Sequence, residues 1–263
     1  MENKIAIVTG ASSGIGFACA EKLSQNGYKV YSFSRSGKSE NAVKGISCDV
    51  TDEKQVEEAF KTVFENEGRI DLLVNNAGFG ISGAVEFTEL SQAKKQFDVN
   101  FFGCFVCCKA VCKYMRKNGG GKIVNISSMA APLSIPFQAF YSASKSAVNS
   151  LTLALANELH QFNISVCAFM PGDVKTAFTA QREKQEGGKE IYGEIIQKSI
   201  ERMEKDEQNG MSPEKIADAV CALAKRKHPK PLSTTGVSYK CFAVLAKILP
   251  MSAVNRIVGL LYS

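Results

Sequence analysis

Six short apolar runs constrain this chain more than anything else in it. "KIAIVTG", "YKVYSFS", "GISCDV", "IDLLVNNAG", "GKIVNISS" and "NISVCAFMPG" each hold a strand's worth of apolar residues beside glycine, serine, asparagine or proline. Helical periodicity fills the longer gaps: Ile15 to Asn26, stopped by Gly27; Glu53 to Glu67; roughly Ser91 to Lys117; and about Gln138 to His160. Strands alternating with helices predict a doubly wound parallel sheet covered on both faces, a three-layer αβα arrangement. Ligands of such sheets bind at the carboxyl ends of the strands, where the strand order reverses. No linker, repeat or low-complexity run divides the 263 residues, so a single domain over 1–263 is expected.

The chain opens with "MENKIAIVTG", an acidic residue and then a strand, which is not the pattern of a secretory signal. A reducing, cytoplasmic setting is expected, with the nine cysteines as free thiols. Cys104, Cys107, Cys108 and Cys112 crowd one segment. Three of them follow i, i+4, i+8 spacing in an apolar run with no CxxC partner elsewhere, so they are read as small buried hydrophobes and no metal is expected. The net charge of +6 fits an anionic cofactor or a membrane surface better than nucleic acid, because the lysines are spread along the chain rather than interleaved with aromatics.

The first strand runs into "TGASSGIG", with Gly10, Gly14 and Gly16. Gly10 to Gly14 is literally G-x-S-x-G, the nucleophile elbow of an α/β-hydrolase. That reading needs upstream strands and a downstream histidine. Only nine residues precede Gly10, and the two histidines, His160 and His228, sit at a helix end and in a basic run. The other reading is a loop that lets backbone approach a pyrophosphate at a helix N-terminus, although G-x-x-x-G-x-G departs from the usual G-x-G-x-x-G. A tight turn without ligand stays open on this loop alone.

Further on stands "YSASK". Residues four apart share a helix face, so Tyr141 and Lys145 lie side by side. An unperturbed tyrosine, with pKa about 10, is too weak an acid for efficient proton shuttling near neutrality. An ammonium about 4 Å away, at an effective dielectric of about 20, supplies around 4 kcal/mol, enough to lower the phenol by about three units. Lys145 is therefore expected to pull Tyr141 down.

Taken together, "TGASSGIG", "NNAG" (Asn75 to Gly78), "VN" (Val99, Asn100), "ISS" (Ile126 to Ser128), "YSASK" and "PGDVKT" (Pro171 to Thr176) resemble the short-chain dehydrogenase/reductases, in order and spacing, over about the first 180 residues. The resemblance implies a Rossmann-type fold of roughly seven parallel strands, a nicotinamide cofactor and hydride transfer to or from a carbonyl. It makes Tyr141 the general acid/base. Lys145 would bind the nicotinamide ribose, Ser128 (rather than Ser127) would polarise the substrate oxygen, and Asn100 would hold a water that links Lys145 to solvent. It places the cofactor on Gly10, Ser12, Ser13, Gly14, Ile15 and Gly16, on Asp49 and Val50 beside adenine, on Asn76, Ala77 and Gly78, and on Pro171, Gly172, Val174 and Thr176.

Where an NAD enzyme puts a carboxylate on the ribose, this chain has Ser34 and Arg35. A planar guanidinium suits a 2′-phosphate, so NADP is expected ahead of NAD. From about 177 to 211, where the family keeps a substrate lid, Tyr192, Ile195, Ile196, Ile200 and Met203 form a stripe read as core packing or as a pocket wall. Phe137, Gln138 and Phe178 suggest an apolar pocket. The tail, about 231 to 263, departs from the ketoacyl-reductase pattern: a basic run at 225–230 leads into "CFAVLAKILPMSAVNRIVGLLYS", too broken for a membrane span and expected to form one or two amphipathic helices. These are expected to pack on the lid or a neighbouring subunit, with peripheral membrane contact as the other cover. The reading is an NADP-dependent reductase of a lipophilic (steroid-, retinoid- or lipid-like) ketone or aldehyde. Its alternatives are a 3-oxoacyl-carrier reductase and a silent NADP-binding module. A homodimer or homotetramer paired through the helices starting near Ser91 and Gln138 is expected.

Overall fold

The computed structural model describes residues 4–185 and 187–262. Strand β1 (Ile5–Thr9) is buried along its whole length, as a strand covered on both faces must be. Ile5 and Ile7 point into one apolar cluster, and Ala6 and Val8 into the other. The chain continues through α1 (Gly14–Gln25), β2 (Lys29–Ser34), β3 (Val43–Ser47), α2 (Glu53–Glu67), β4 (Leu72–Asn75) and the two-residue β5 (Ile81–Ser82). Next come α3 (Leu90–Phe97), a π-helical turn (Asp98–Phe102), α4 (Gly103–Lys117), β6 (Gly121–Ile126), α5 (Ala130–Leu133), α6 (Ala139–Glu158) and β7 (Ile164–Phe169). The last part holds β8 (Glu183–Lys184), α7 (Lys189–Tyr192), α8 (Ile195–Gln208), α9 (Pro213–Lys225), β9 (Leu232–Ser233), α10 (Val237–Ile248) and α11 (Met251–Tyr262).

Seven strands form one parallel sheet in the order β3-β2-β1-β4-β6-β7-β9, a doubly wound Rossmann-type fold. Helices α2, α4 and α6 cover the Ile5/Ile7 face, and α1 and α9 cover the other. The four cysteines of α4 are buried in the first of these layers. The order reverses between β1 and β4, which opens a crevice at their carboxyl ends.

Three elements differ from the sequence reading. The third strand begins at Val43 and ends at Ser47, so Cys48 to Val50 lie in the following loop. There the Asp49 carboxylate accepts from the Thr51 amide (2.9 Å) and hydroxyl (2.7 Å), a turn that ends the strand. The long helix from Ser91 widens into a π turn at Asn100, whose side chain is bound to groups outside its own helix. In the apolar stripe, Ile196, Ile200 and Met203 are buried against Ala84, Phe87, Tyr192 and Tyr262, whereas Ile195 is 49% exposed.

Candidate active site

The crevice widens into a cleft of about 890 Å³ lined from the glycine loop at one end to the C-terminal helices at the other. At the first end, the turn between β1 and α1 has positive φ at Gly10 (+62°) and Gly14 (+58°). A Cβ on Gly10 would stand 2.8 Å from the Ala77 Cα, and one on Gly14 would stand 3.5 Å from Thr176. The loop thus lies tight on the strand ends around it. Helix α1 begins after Ser13, with no side-chain cap and no acidic residue in its first turn, so its amide end is left for an anion. Ser12, Ser13, Ile15, Ser34, Arg35, Asp49, Val50, Asn76, Ala77, Gly78, Pro171, Gly172, Val174 and Thr176 line the same cleft. Gly16 does not: a Cβ there would meet Asn76 Nδ2 and Gly10 O at 2.4 Å, so its smallness serves loop packing.

The Arg35 guanidinium has no ion pair or hydrogen bond among the described residues, and no carboxylate takes the place of Ser34 at the end of β2. A nicotinamide dinucleotide fits this end. A Cβ at Gly10 would clash with the Ala77 backbone, the helix end is uncapped, and the bare Gly78 leaves room beside the Lys145 ammonium, which stands 3.5 Å from where a Cβ would be.

In mid-cleft, β6 and α6 bring Ser128, Tyr141 and Lys145 together. Ser127 is buried, and its hydroxyl donates to the Lys145 carbonyl at 3.1 Å, so it is spent on structure. Ser128 faces the cleft; its Oγ accepts the Ala130 amide at 3.1 Å and also engages the Tyr141 phenol. The Lys145 Nζ donates to the Ile126 carbonyl at 2.9 Å and lies 5.8 Å from the Tyr141 ring centre. Asn100 lies behind them: its Oδ1 accepts from the Phe79 amide at 3.0 Å, and its Nδ2 donates to the Phe79 carbonyl (3.0 Å) and the Ser144 hydroxyl (3.1 Å).

Burial decides the protonation of this group. It pushes the Tyr141 phenol up to about 12, against the opposite pull of the Ser128 hydrogen bond. It pushes Lys145 down to about 8. The expected lowering of Tyr141 by Lys145 is not found: burial raises the phenol, and the Lys145 ammonium, itself buried, donates to the Ile126 carbonyl.

The far end was the least legible. Gln138 and Phe178 line the cleft, with the Phe178 ring 5.8 Å from that of Tyr141. Phe137 does not; it packs edge-on to Tyr192 at 5.9 Å. The wall is instead Leu133 and Ile135 with Phe242, Leu245, Leu249, Ile257 and Leu261 from α10 and α11. Helix α8 turns its polar side to the cleft: Arg202, Asp206 and Glu207, the last paired with buried Arg182. The Tyr239 hydroxyl donates to Asp173 Oδ2 at 2.5 Å, and its ring closes over Gly172. Burial pushes the Asp173 carboxyl up, and no ion-pair partner faces it among the described residues. Asp173 falls within "PGDVKT", but nothing in the sequence marks Tyr239 or its pairing with Asp173, which spans 66 residues.

The family model for short chain dehydrogenase matches residues 4–187. A 3-ketodihydrosphingosine reductase from Bacteroides thetaiotaomicron is 44% identical over 233 residues, 87% of this chain and 86% of that protein. Among solved structures, a short-chain dehydrogenase from Streptomyces avermitilis superposes with a TM-score of 0.83 at 28% identity, covering 97% of this chain and 98% of its own. A 3-ketoacyl-(acyl-carrier-protein) reductase from Brucella melitensis, complexed with NADH, superposes with a TM-score of 0.75 at 25% identity, covering 90% and 97%.

Proposed function

The chain belongs to the short-chain dehydrogenase family of oxidoreductases, and from that premise we propose that it is an NADP-dependent reductase of a long-chain, lipid-like ketone. One observation carries the proposal: Ser128, Tyr141 and Lys145 share a single cleft with an apolar wall of Leu133, Ile135, Phe242, Leu245 and Leu249. The bound dinucleotide would supply a hydride to the carbonyl carbon. Gly10, Ser12, Ser13, Gly14, Ile15, Asn76, Ala77, Gly78, Pro171, Gly172, Val174 and Thr176 would hold it, with Asp49 and Val50 at the adenine and Arg35 and Ser34 at the 2′-phosphate.

Tyr141 would do the proton work. Held up at about 12, its phenol carries a proton throughout the physiological range and donates it to the carbonyl oxygen. Ser128 donates a second hydrogen bond to the same oxygen as negative charge develops on it. Lys145 orients the ribose and, while charged, eases the loss of the Tyr141 proton. Asn100 is proposed to hold a water that links Lys145 to solvent; its side chain lies across Gly78 from the Lys145 ammonium.

The 44% identical relative, named for a long-chain amino ketone, supports the substrate class. NADPH absorbance followed over a panel of ketones tests the proposal. Turnover of a 2-amino-3-ketone with a long chain is expected. Turnover of carrier-bound 3-oxoacyl thioesters instead would favour the second reading, and NADPH binding without any turnover would make the chain a silent binding module. Subunits would pair through α4, the π turn before it and α6, where Phe105, Phe102 and Leu153 are 40%, 50% and 43% exposed. Light scattering should then give twice or four times the chain mass of 28.5 kDa.

A further inference from the structure

Helix α10 is apolar on two faces. Phe242 and Leu245, with Leu249 just past the helix, close the cleft, while Val237, Cys241, Val244 and Ile248 fall at i, i+4, i+7 and i+11 and form a second stripe outside the cleft lining. No residue of this helix is buried; Val237 is 81% and Ile248 73% exposed. Met251, at the start of α11, follows directly on the end of this stripe and is 72% exposed. An exposed apolar stripe of this kind on a folded surface marks an interaction site.

The charge around the patch selects what covers it. From Ala219 to the end of the chain there are seven basic residues, Lys225, Arg226, Lys227, Lys230, Lys240, Lys247 and Arg256, and no acidic one. They exceed the net charge of +6 carried by the whole chain, so the rest of the protein is close to neutral. None of the seven has a carboxylate partner among the described residues. Helix α8, which packs on α11, carries charges of both signs, with Arg202 paired to Asp206 within it and Lys198 paired to Glu194 just before it. A second copy of this chain would bring like charges together across a symmetric contact. A solvated acidic protein would satisfy the lysines but not the outward Val244, Ile248 and Met251. An interfacial lipid layer with anionic headgroups satisfies both.

We infer that α10 and the start of α11 dock the protein on an anionic lipid surface, with Val237, Val244, Ile248 and Met251 in the interface and Lys240, Lys247 and Arg256 among the headgroups. If the site takes a lipophilic ketone, as proposed above, the same two helices set its mouth at the source of that substrate. The docking itself stands on surface residues alone. Among the described residues no helix is long and apolar enough to cross a membrane, so the contact is peripheral.

Cosedimentation of the full chain with vesicles tests this. Wild type should pellet with phosphatidylcholine vesicles containing phosphatidylglycerol, weakly with phosphatidylcholine alone, and less as salt rises. Val244→Glu/Ile248→Glu should lower binding by at least about tenfold while thermal unfolding and reduction of a short water-soluble ketone stay as in wild type, since neither residue lines the cleft. Lys240→Gln and Lys247→Gln should each lower it about fivefold. Failure of wild type to pellet at low salt overturns the inference. So does a light-scattering mass that the double variant halves, which would make the cover a second copy, or capture of an acidic acyl-carrier protein without any vesicle binding. Loss of ketone turnover with vesicle binding intact would count against the enzymatic reading and not against this one.

Discussion

The two ends of the cleft are made of different material. At the cofactor end, short loops after β1, β4 and β7 hold their residues by backbone geometry: Gly10 and Gly14 at positive φ, Gly16 against Asn76, and Gly78 beside Lys145. At the other end, α10 and α11 supply ordinary apolar side chains, half-exposed and interchangeable in chemistry. Geometry so specific leaves a trace in sequence; a generic apolar wall does not. Reaction type should therefore follow from the first end, and substrate size and address from the second.

The strongest way to break that division is Tyr141→Phe. The phenol is the proposed proton source, so carbonyl reduction should fall at least about a hundredfold while NADPH binding, followed by fluorescence, stays close to wild type. Equal loss of binding and turnover would mean that the tyrosine serves packing against Phe178. A smaller effect is expected at the cofactor end itself. Arg35→Ala should cut the kcat/KM preference for NADPH over NADH by more than about tenfold, the scale of a charge-assisted contact. A wild type that uses both cofactors equally would remove the assignment.

The pH profile sharpens the comparison within the site. Lys145, pushed down to about 8, is charged below that pH and neutral above it; Tyr141, pushed up to about 12, keeps its proton across the range. Reduction should hold below about pH 8 and fall about tenfold per unit above it, as the ammonium is lost. Lys145→Arg, which stays charged, should move that limb upward if any activity survives the change of shape. A flat profile through the alkaline range would show that the lysine charge is not needed. The smallest effect belongs to the wall: Leu245→Ala should raise KM for a long-chain ketone about fivefold, the scale of about 1 kcal/mol of apolar contact, and leave a short ketone unchanged.

The sheet was legible because β1, β2, β4, β6 and β7 are buried over most of their length and read as apolar runs, whereas the edge strand β3, with only Val43 buried, was placed too late in the chain. The π turn at Asn100 was visible only as a helix, since it depends on a hydrogen bond to Phe79 in another segment. The seventh strand, Leu232–Ser233, and the small sheet of β5 with β8 are two residues long and carry no periodicity. At the site, Ser128, Tyr141 and Lys145 stood out by spacing. Asp173 did not, because its environment is made by Tyr239 from a helix 66 residues away. The stripe on α8 was readable as amphipathic, but which face met the cleft was not; the structure turns Ile196, Ile200 and Met203 inward to the lid and Arg202, Asp206 and Glu207 to the cleft. The charge of the last 45 residues was present in the sequence all along, and gained meaning once α10 was seen with no buried residue.

The most direct measurement is kcat/KM with NADPH along a homologous series of straight-chain ketones that differ only in length. If a catalytic tyrosine faces an apolar wall built by α10 and α11, the value should climb with each added methylene, by up to about fourfold per CH₂ at about 0.8 kcal/mol, until the wall from Phe242 to Leu261 is filled, and then level off. A series that is flat in length, or highest for the shortest member, would contradict the proposed lipid-like substrate.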